Sequence, residues 1–476
     1  MKTELFINGS WSGSELEQID VMNPGTGEKI GTIPKAGKRE AQASVDAAAD
    51  ALSEWKKTSA QERSAYLREV FRLMHEEAEE IAEIMTKENG KALADSKQEV
   101  AYAASFLDWF ADEAKRIYGR NIPGKHTDHR IEVLKQPIGV VAAITPWNFP
   151  AAMITRKLAP ALAAGCTFII KPATATPYTA MKIIELCEKA GIPKGVVNLL
   201  TGSASDITQV FMNDSRVKKL SFTGSTEVGK MLIEQSAAQV KKLSLELGGH
   251  APLIVFDDAD LDIAVREALR AKFRNGGQSC IAANRLYVQE GIYEEFTKRF
   301  SAEVKQMKAG SGMDEENDIG AIIDQDGFDK IKRHVEDAKK QGAEVTAGGK
   351  GTDDKGAFFY QPTVLKGATD DMLIMQEETF GPVAPIQSFH SEEEAIELAN
   401  NTPYGLAAYV FTESMRKGTR AVENLDFGVV GWNDGVPSAA QAPFGGLKES
   451  GFGREGGAEG IEDFLETKYV AKNIGN

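Results

Sequence analysis

Hydrophobic and polar positions follow two different periods along this chain, and the changes of period mark its parts. Ser59 with Glu62 three residues later is a capping-box signature. Leu67, Val70, Phe71 and Met74 then recur at the spacing of one helix face. Gly119 to Gly124, with Pro123, reads as a break, and Arg130 to Lys135 alternates as a strand does. From Gly139 onward short apolar runs take over: Gly139–Thr145, Cys166–Lys171, Gly195–Thr201 and Lys218–Thr223, with helical stretches between them. Such runs alternating with helices predict βαβ units and a parallel sheet. A second α/β stretch extends from about Pro252 to Gly446, with Ala343–Gly349 and Val383–Phe389 as strands and Glu392–Asn400 as a helix. In the tail, Ile461 to Ile474, the run from Phe464 to Val470 suits an edge strand of the kind that pairs with another subunit.

Length and charge narrow the picture. At 476 residues the chain exceeds one ordinary core, and about two to three domains are expected. With 42% hydrophobic and 26% charged residues, the balance is globular and not disordered. A net charge of −15 argues against nucleic-acid partners. It also means that an anionic substrate would have to be met by individual arginines and not by a basic face. Three cysteines give no disulfide framework and fit a reducing cytosol. The first residues, Met1 to Phe6, hold no apolar run of signal-peptide length, and no stretch nears the roughly 18 apolar residues of a membrane span. A cytoplasmic protein without membrane contact is the expectation.

The candidate chemistry sits at strand ends and glycine turns. Cys280 lies in Gly276-Gly277-Gln278-Ser279-Cys280, a polar, glycine-rich setting that lets a substrate approach a thiolate nucleophile. Cys166 and Cys187 read instead as buried structural residues. Glu246, at the end of an apolar run and before Gly248-Gly249, is a candidate base whose pKa burial would raise. Asn148, in Pro146-Trp147-Asn148-Phe149-Pro150, can donate its amide to an oxyanion, with the Cys280 backbone N–H as second donor. Phe222 to Gly229 reads as strand, glycine turn and helix start, and Gly224-Ser225 at that helix N-terminus suit a pyrophosphate. No G-x-G-x-x-G fingerprint accompanies it. Lys171, at a strand end before Pro172, is placed to reach ribose or phosphate oxygens. Arg156 and Arg274, near Asn148 and Cys280 in sequence, are the candidate clamp for a substrate carboxylate. The six histidines, His126 and His129 included, show no ligand spacing, and no metal is predicted.

These motifs are similar to those of the NAD(P)-dependent aldehyde dehydrogenase superfamily from end to end. The matching segments are Pro146–Pro150, Phe222–Ser225, Leu245–Gly249, Gly277–Cys280, Glu378-Thr379-Phe380-Gly381-Pro382 and Pro443-Phe444-Gly445-Gly446. The resemblance implies an α/β fold with a Rossmann-like cofactor domain (1–118 and 138–246), an α/β catalytic domain (247–445) and a small β oligomerisation arm (119–137 and 446–476) that builds homodimers or homotetramers. It implies attack by Cys280 on an aldehyde, Asn148 on the oxyanion, hydride transfer to a nicotinamide, and Glu246 activating water. It places Glu378 and Phe380 at the nicotinamide ribose and ring, with Trp147 and Leu247 also on the cofactor. Within the superfamily the chain resembles the succinate-semialdehyde dehydrogenase group through Ala151–Lys157 and Lys272–Asn275, and Arg156, Arg274 and Ser438 match that group's carboxylate-binding positions. Enzymes for other ω-oxo acids, such as glutarate semialdehyde, or of broader aldehyde specificity, share that pattern. Two departures stand out. Ala282 replaces a second cysteine common in the group, which excludes a disulfide switch there. Thr174 stands where strongly NAD-selective relatives carry glutamate; without that carboxylate a 2′-phosphate is not repelled. NADP is therefore favoured, with NAD use also expected.

Overall fold

The structure, a computed structural model, describes residues 2–475. Its first sheet has eight strands in the order Ser10–Ser12, Leu5–Ile7, Val197–Leu199, Thr167–Lys171, Val140–Ile144, Val217–Thr223, Lys242–Glu246 and Gly451–Phe452. The five from Val197–Leu199 to Lys242–Glu246 run parallel. Their uniform apolarity has a plain cause. Thr167–Lys171 is buried throughout, and Val140–Ile144 nearly so, because helices cover both faces. Strand order reverses at Val140–Ile144: the chain runs outward one way through Thr167–Lys171 and Val197–Leu199, then the other way through Val217–Thr223 and Lys242–Glu246. Such a reversal opens a crevice at the strands' carboxyl ends.

The second sheet has seven strands, ordered Glu344–Ala347, Thr363–Lys366, Val383–Phe389, Ala283–Gln289, Ala251–Val255, Ala407–Phe411 and Val429–Trp432. All neighbours are parallel except the pair at the Glu344–Ala347 edge. Val383–Phe389 and the helix Glu392–Asn400 have the bounds that their hydrophobic pattern predicts. The capping box also forms: Ser59 Oγ accepts from the Glu62 N–H and Glu62 returns the bond to the Ser59 N–H. Leu67, Val70 and Met74 are fully buried on that helix, while Phe71 is half-buried at its border. No helix among the described residues is long and apolar enough to cross a membrane.

A third sheet joins Arg120–Pro123, His129–Pro137 and Leu465–Asn473. The last two pair antiparallel over nine residues, from Leu465 against Pro137 to Asn473 against His129. Two readings need correction. The segment read as a break at Gly119–Gly124 contains the strand Arg120–Pro123, whose partner His129–Pro137 is supplied by tertiary pairing, and Pro123 is tolerated because it ends an edge strand. Residues 446–464, expected in the arm, first pair outside the third sheet, in a separate two-stranded ladder and at the edge of the first sheet. Leu447–Lys448 pairs with Tyr404–Gly405, and Gly451–Phe452 pairs with Leu245–Glu246. Gly451 permits this, with φ +113 and the Leu245 carbonyl oxygen 1.9 Å from where a Cβ would stand.

Arg285 ties the second sheet to its surroundings. Its side chain is 1% exposed and donates to the carbonyls of His250 (3.1 Å), Leu398 (3.0 Å) and Ala399 (2.8 Å). Arg285→Met would strip charged donors from three carbonyls, at about 1.5–3 kcal/mol per bond. The expected result is a loss of at least about 3 kcal/mol in urea-unfolding stability.

Candidate active site

The chain crosses from the first sheet to the second in the four residues Leu247–His250, and the candidate site is built around that crossing. Glu246 is the last residue of its strand and pairs in register with Thr223. A Cβ on Gly249 would lie 2.1 Å from the Cys280 carbonyl oxygen, so the nucleophile loop passes directly over this backbone. The loop itself is a tight turn with Asn275, Gly276 and Gly277 at φ +54, +61 and +72. Asp95 accepts from the Asn275 N–H at 2.9 Å and holds the turn's start. Gly277 in turn has no room for a side chain, with the Gly381 carbonyl oxygen 2.3 Å from its Cβ position. The glycines of three separate motifs thus serve one purpose, close backbone stacking around Cys280.

Asn148 enters from the turn after Val140–Ile144. Its side-chain amide donates to the Gln278 carbonyl at 3.3 Å, two residues before the thiol, and its Oδ1 has no partner. Its backbone is held firmly. Lys91 Nζ and Asn275 Nδ2 donate to the Asn148 carbonyl at 2.6 and 2.8 Å, and Asn89 Nδ2 donates to the Trp147 carbonyl at 2.8 Å. Lys91 is paired with Glu99 at 2.6 Å, both side chains fully buried. Glu99 also accepts from the N–H groups of Ala151 and Ala152, where the helix Ala152–Ala164 begins.

That helix is buried at all thirteen positions, Arg156 and Lys157 among them, so both charges must find partners inside. Both converge on Glu455: Arg156 Nε lies 2.8 Å from Glu455 Oε2, and Lys157 Nζ bonds Glu455 Oε1 and also the Thr223 hydroxyl (2.6 Å). Burial opposes the charge on Glu455, but Lys157 and Arg156 outweigh it and hold the carboxyl below its ordinary range. Glu246 is the reverse case. Burial, then the negative field of Glu455, push it well above the usual carboxylate range, with Arg156 and Lys157 pulling back only partly. The two buried carboxylates are thus driven apart, Glu455 toward its ionised form and Glu246 toward its protonated one. Burial also pushes the Cys280 thiol up to about 12, against a lowering pull from Arg156.

Beside Cys280 a cavity is lined by Tyr102, Phe149, Met153, Arg156, Arg274 and Ser438, with Phe444 and Ile281 closing it. The structure therefore brings all three expected carboxylate-binding residues to the thiol. They are not equivalent. Arg156 already faces Glu455 and the Phe444 ring, 4.1 Å from its guanidinium carbon. Arg274 has no acidic partner within ion-pair distance among the described residues and lies over the rings of Phe149 (5.0 Å) and Tyr102 (6.0 Å). Tyr102 and Ser438 line the same cavity beside it.

A larger groove of ≈ 810 Å³ opens at the strand-order reversal, lined by Ile144, Thr145, Pro146, Phe222, Thr223 and Gly224 together with the helix Thr226–Ser236. Ser225 caps that helix through its Oγ, and Leu247 packs against Gly229 within it. Lys171 stands level with Ile144 by strand register, buried, its ammonium lowered to about 8 by burial. Thr174 is half-buried three residues further on. Towards Cys280, the Trp147 and Phe380 rings meet edge to face at 5.5 Å, and Glu378 accepts from the Gly249 N–H at 3.1 Å. Burial raises Glu378 to about 7. The groove, with the helix Thr226–Ser236 along one wall, suits the phosphates of a dinucleotide, and Trp147, Phe380 and Glu378 offer two rings and a carboxylate for its nicotinamide end. Sequence reasoning missed Asn89, Lys91, Glu99, Tyr102, Lys157 and Glu455. Each lies in an ordinary helical or loop context, and only Lys157, beside Arg156 in an apolar run, carried a local signal.

Comparison with known proteins agrees with this geometry. The model of the aldehyde dehydrogenase family matches residues 11–470. A glutarate-semialdehyde dehydrogenase of Pseudomonas putida is 51% identical over 99% of this chain and 98% of its own. The NADP(+) succinate-semialdehyde dehydrogenase GabD of Escherichia coli is also 51% identical, over 98% and 97%. A crystal structure of an NADP-dependent enzyme from E. coli superimposes with a TM-score of 0.97 at 50% identity, covering 99% of this chain and 98% of that one.

The charge state of the resting site is open to direct measurement. Because only the thiolate is alkylated, and the thiol lies far below its pKa at neutral pH, iodoacetamide modification of Cys280 in the unliganded protein should accelerate about tenfold per pH unit from pH 7 to 9. Mass spectrometry should find Cys166 and Cys187, both buried, unmodified. A rate plateau below pH 8 would contradict a thiol that is neutral at rest.

Proposed function

The chain belongs to the aldehyde dehydrogenase family, and from that premise we propose that it oxidises succinate semialdehyde to succinate, with NADP favoured over NAD, through a thiohemiacetal and a thioester on Cys280. The observation that carries the substrate is Arg274. It is a guanidinium without an ion-pair partner among the described residues, over two aromatic rings in the cavity beside the Cys280 thiol. A fixed fork at that place suits a terminal carboxylate, with Ser438 and Tyr102 as neutral hydrogen-bonding groups beside it. Glutarate semialdehyde, one methylene longer, is the second reading, favoured by the equally similar relative that bears that name.

The residues divide the work as follows. Cys280 releases its proton to solvent, and its sulfur bonds the aldehyde carbon as the carbonyl π pair moves onto oxygen. The oxyanion that forms is met by the Asn148 amide, turned from the Gln278 carbonyl, and by the Cys280 backbone N–H. A bound nicotinamide supplies the acceptor for the hydride that leaves this carbon. Glu246, once it has given up its own proton, takes one from water, whose oxygen adds to the thioester. The C–S bond then breaks, succinate is released and the thiolate returns. The rigid backbone at residues 147–151, clamped by Asn89, Lys91, Asn275 and Glu99, keeps the oxyanion donor in place throughout.

The cofactor preference rests on Lys171 and Thr174, which offer an amine and a hydroxyl where a carboxylate would repel a 2′-phosphate. We assign the working form to the cytoplasm as a homodimer or homotetramer. The edge strand Leu465–Asn473 supports that assembly, with Tyr469 and Leu134 exposed on its sheet.

Arg274→Ala should raise KM for succinate semialdehyde about 10–100-fold while leaving butanal oxidation within about threefold; equal losses on both substrates would sink the carboxylate clamp. Cys280→Ala should abolish oxidation of both. Thr174→Glu should cut kcat/KM with NADP by about 100-fold or more and change that with NAD by far less, read from initial rates with each cofactor.

A further inference from the structure

The segment Met375–Gly381 carries both Glu378 and Phe380, yet it has little regular structure of its own. The short helix Leu373–Gln376 ends at it and the strand Val383–Phe389 begins after it. Phe380 adopts φ +57, a conformation that residues with side chains keep only when their surroundings impose it. The constraint comes from the helix Gln325–Lys340. Gly381 lies against Ile331, whose Cδ1 is 2.4 Å from where a Cβ would stand. One turn on, the fully buried His334 bridges the two residues that flank Glu378. Its Nδ1 is 3.1 Å from Thr379 Oγ1 and its Nε2 is 3.2 Å from Glu377 Oε2.

The chemistry of the partners fixes the imidazole. A carboxylate only accepts, so Nε2–H donates to Glu377, and Nδ1 is then free to accept the Thr379 hydroxyl proton. Burial lowers the His334 pKa and favours this neutral form, although Glu377 pulls the other way; Lys330 and Arg333 on the same helix add positive charge. Arg333 also holds Glu377 at 2.9 Å. From the opposite side the His250 ring lies 3.0 Å from the Met375 carbonyl. Two ring systems therefore grip the segment, but only His334 holds the residues on both sides of Glu378.

We propose that His334 is a positioning residue for the cofactor's nicotinamide end. Through Thr379 and Glu377 it sets where Glu378 and Phe380 stand, and so the register of the hydride acceptor against Cys280. The inference rests on the cofactor roles proposed above for Glu378 and Phe380. His334 itself touches neither cofactor nor substrate.

The test uses the full-length protein and two assays. Aldehyde oxidation requires the cofactor, whereas hydrolysis of p-nitrophenyl acetate requires only a thiol and a base. His334→Phe, which removes both bonds, should raise KM for NADP about fivefold or more and lower kcat for oxidation, with ester hydrolysis within about twofold of the unmodified protein. Thr379→Val, a near-isosteric loss of one hydroxyl, should move KM for NADP the same way. His334→Asn, whose side-chain oxygen can accept from Thr379 in place of Nδ1, should recover most of the loss. Unchanged oxidation kinetics in His334→Phe would overturn the proposal. So would ester hydrolysis and Tm falling in parallel with oxidation in all three variants, the mark of a purely structural histidine. Failure of the underlying reading looks different: Glu378→Gln and Phe380→Leu would then leave KM for NADP and kcat for oxidation unchanged, whatever residue 334 is.

Discussion

No side chain fits at residue 249. A Cβ there would lie 2.1 Å from the Cys280 carbonyl oxygen, and every other feature of the site follows from that contact. The strand that ends in Glu246 belongs to one sheet, and the strand that begins at Ala251 belongs to the other. The nucleophile loop crosses the joint between them, backbone on backbone. Gly277 repeats the arrangement one layer outward against Gly381, and Gly381 repeats it against Ile331. Glycine costs roughly 0.5–1 kcal/mol in conformational entropy where a regular element would suit another residue. Here that cost is accepted because a side chain at any of these places would separate the base, the nucleophile and the cofactor segment. Sheets on both sides supply the rigidity that the glycines lack.

Charge is arranged around the same joint. Four ionisable side chains, Glu246, Glu455, Arg156 and Lys157, are buried together, each 5% exposed or less. Leaving any one of them unpaired would cost about 3–5 kcal/mol. Glu455 takes both cations, so negative charge is favoured there, while Glu246 is pushed toward its protonated form. Burial thus disfavours the charged forms of both Glu246 and the Cys280 thiol in the unliganded site. Reactivity then awaits a change in the surroundings of these groups, such as the arrival of ligands. The same economy explains why Arg156 differs from Arg274: the first is needed to balance Glu455, whereas the second has no ion-pair partner among the described residues.

Much of this was legible in the residues and some was not, for physical reasons. Apolar runs such as Val140–Ile144 and Thr167–Lys171 declare themselves because a strand covered on both faces tolerates few polar side chains. Cys280, Glu246 and Asn148 stand out because glycine and proline turns surround them. Arg120–Pro123 was missed because its strand character is conferred by His129–Pro137, not by its own composition. Residues 447–452 were misassigned because pairing with distant strands leaves no local pattern. The supporting charges were hidden for the same reason: Lys157 meets Glu455 across 298 residues of sequence, and Asn89 meets Trp147 across 58. His334 reads as one more polar position on a helix until the fold places Thr379 and Glu377 against it.

Placement of Arg274 and Cys280 at the two ends of one tight turn gives the site a way to measure its substrate. Both residues are fixed relative to each other by the left-handed conformations of Asn275, Gly276 and Gly277. The Arg274 guanidinium lies over the rings of Phe149 and Tyr102, which favours its present position. Whatever lies between thiol and guanidinium must match that span, with Met153, Ile281 and Phe444 as the apolar walls. One methylene in such a pocket is worth about 1–3 kcal/mol. That is enough to separate a four-carbon from a five-carbon semialdehyde by tenfold or more with only small changes in the walls. Two relatives, each 51% identical to this chain, bear the names of substrates that differ by that one methylene. With the proposed carboxylate role of Arg274, chain-length preference is a property of this short turn and the rings beside it, and overall resemblance is silent on it.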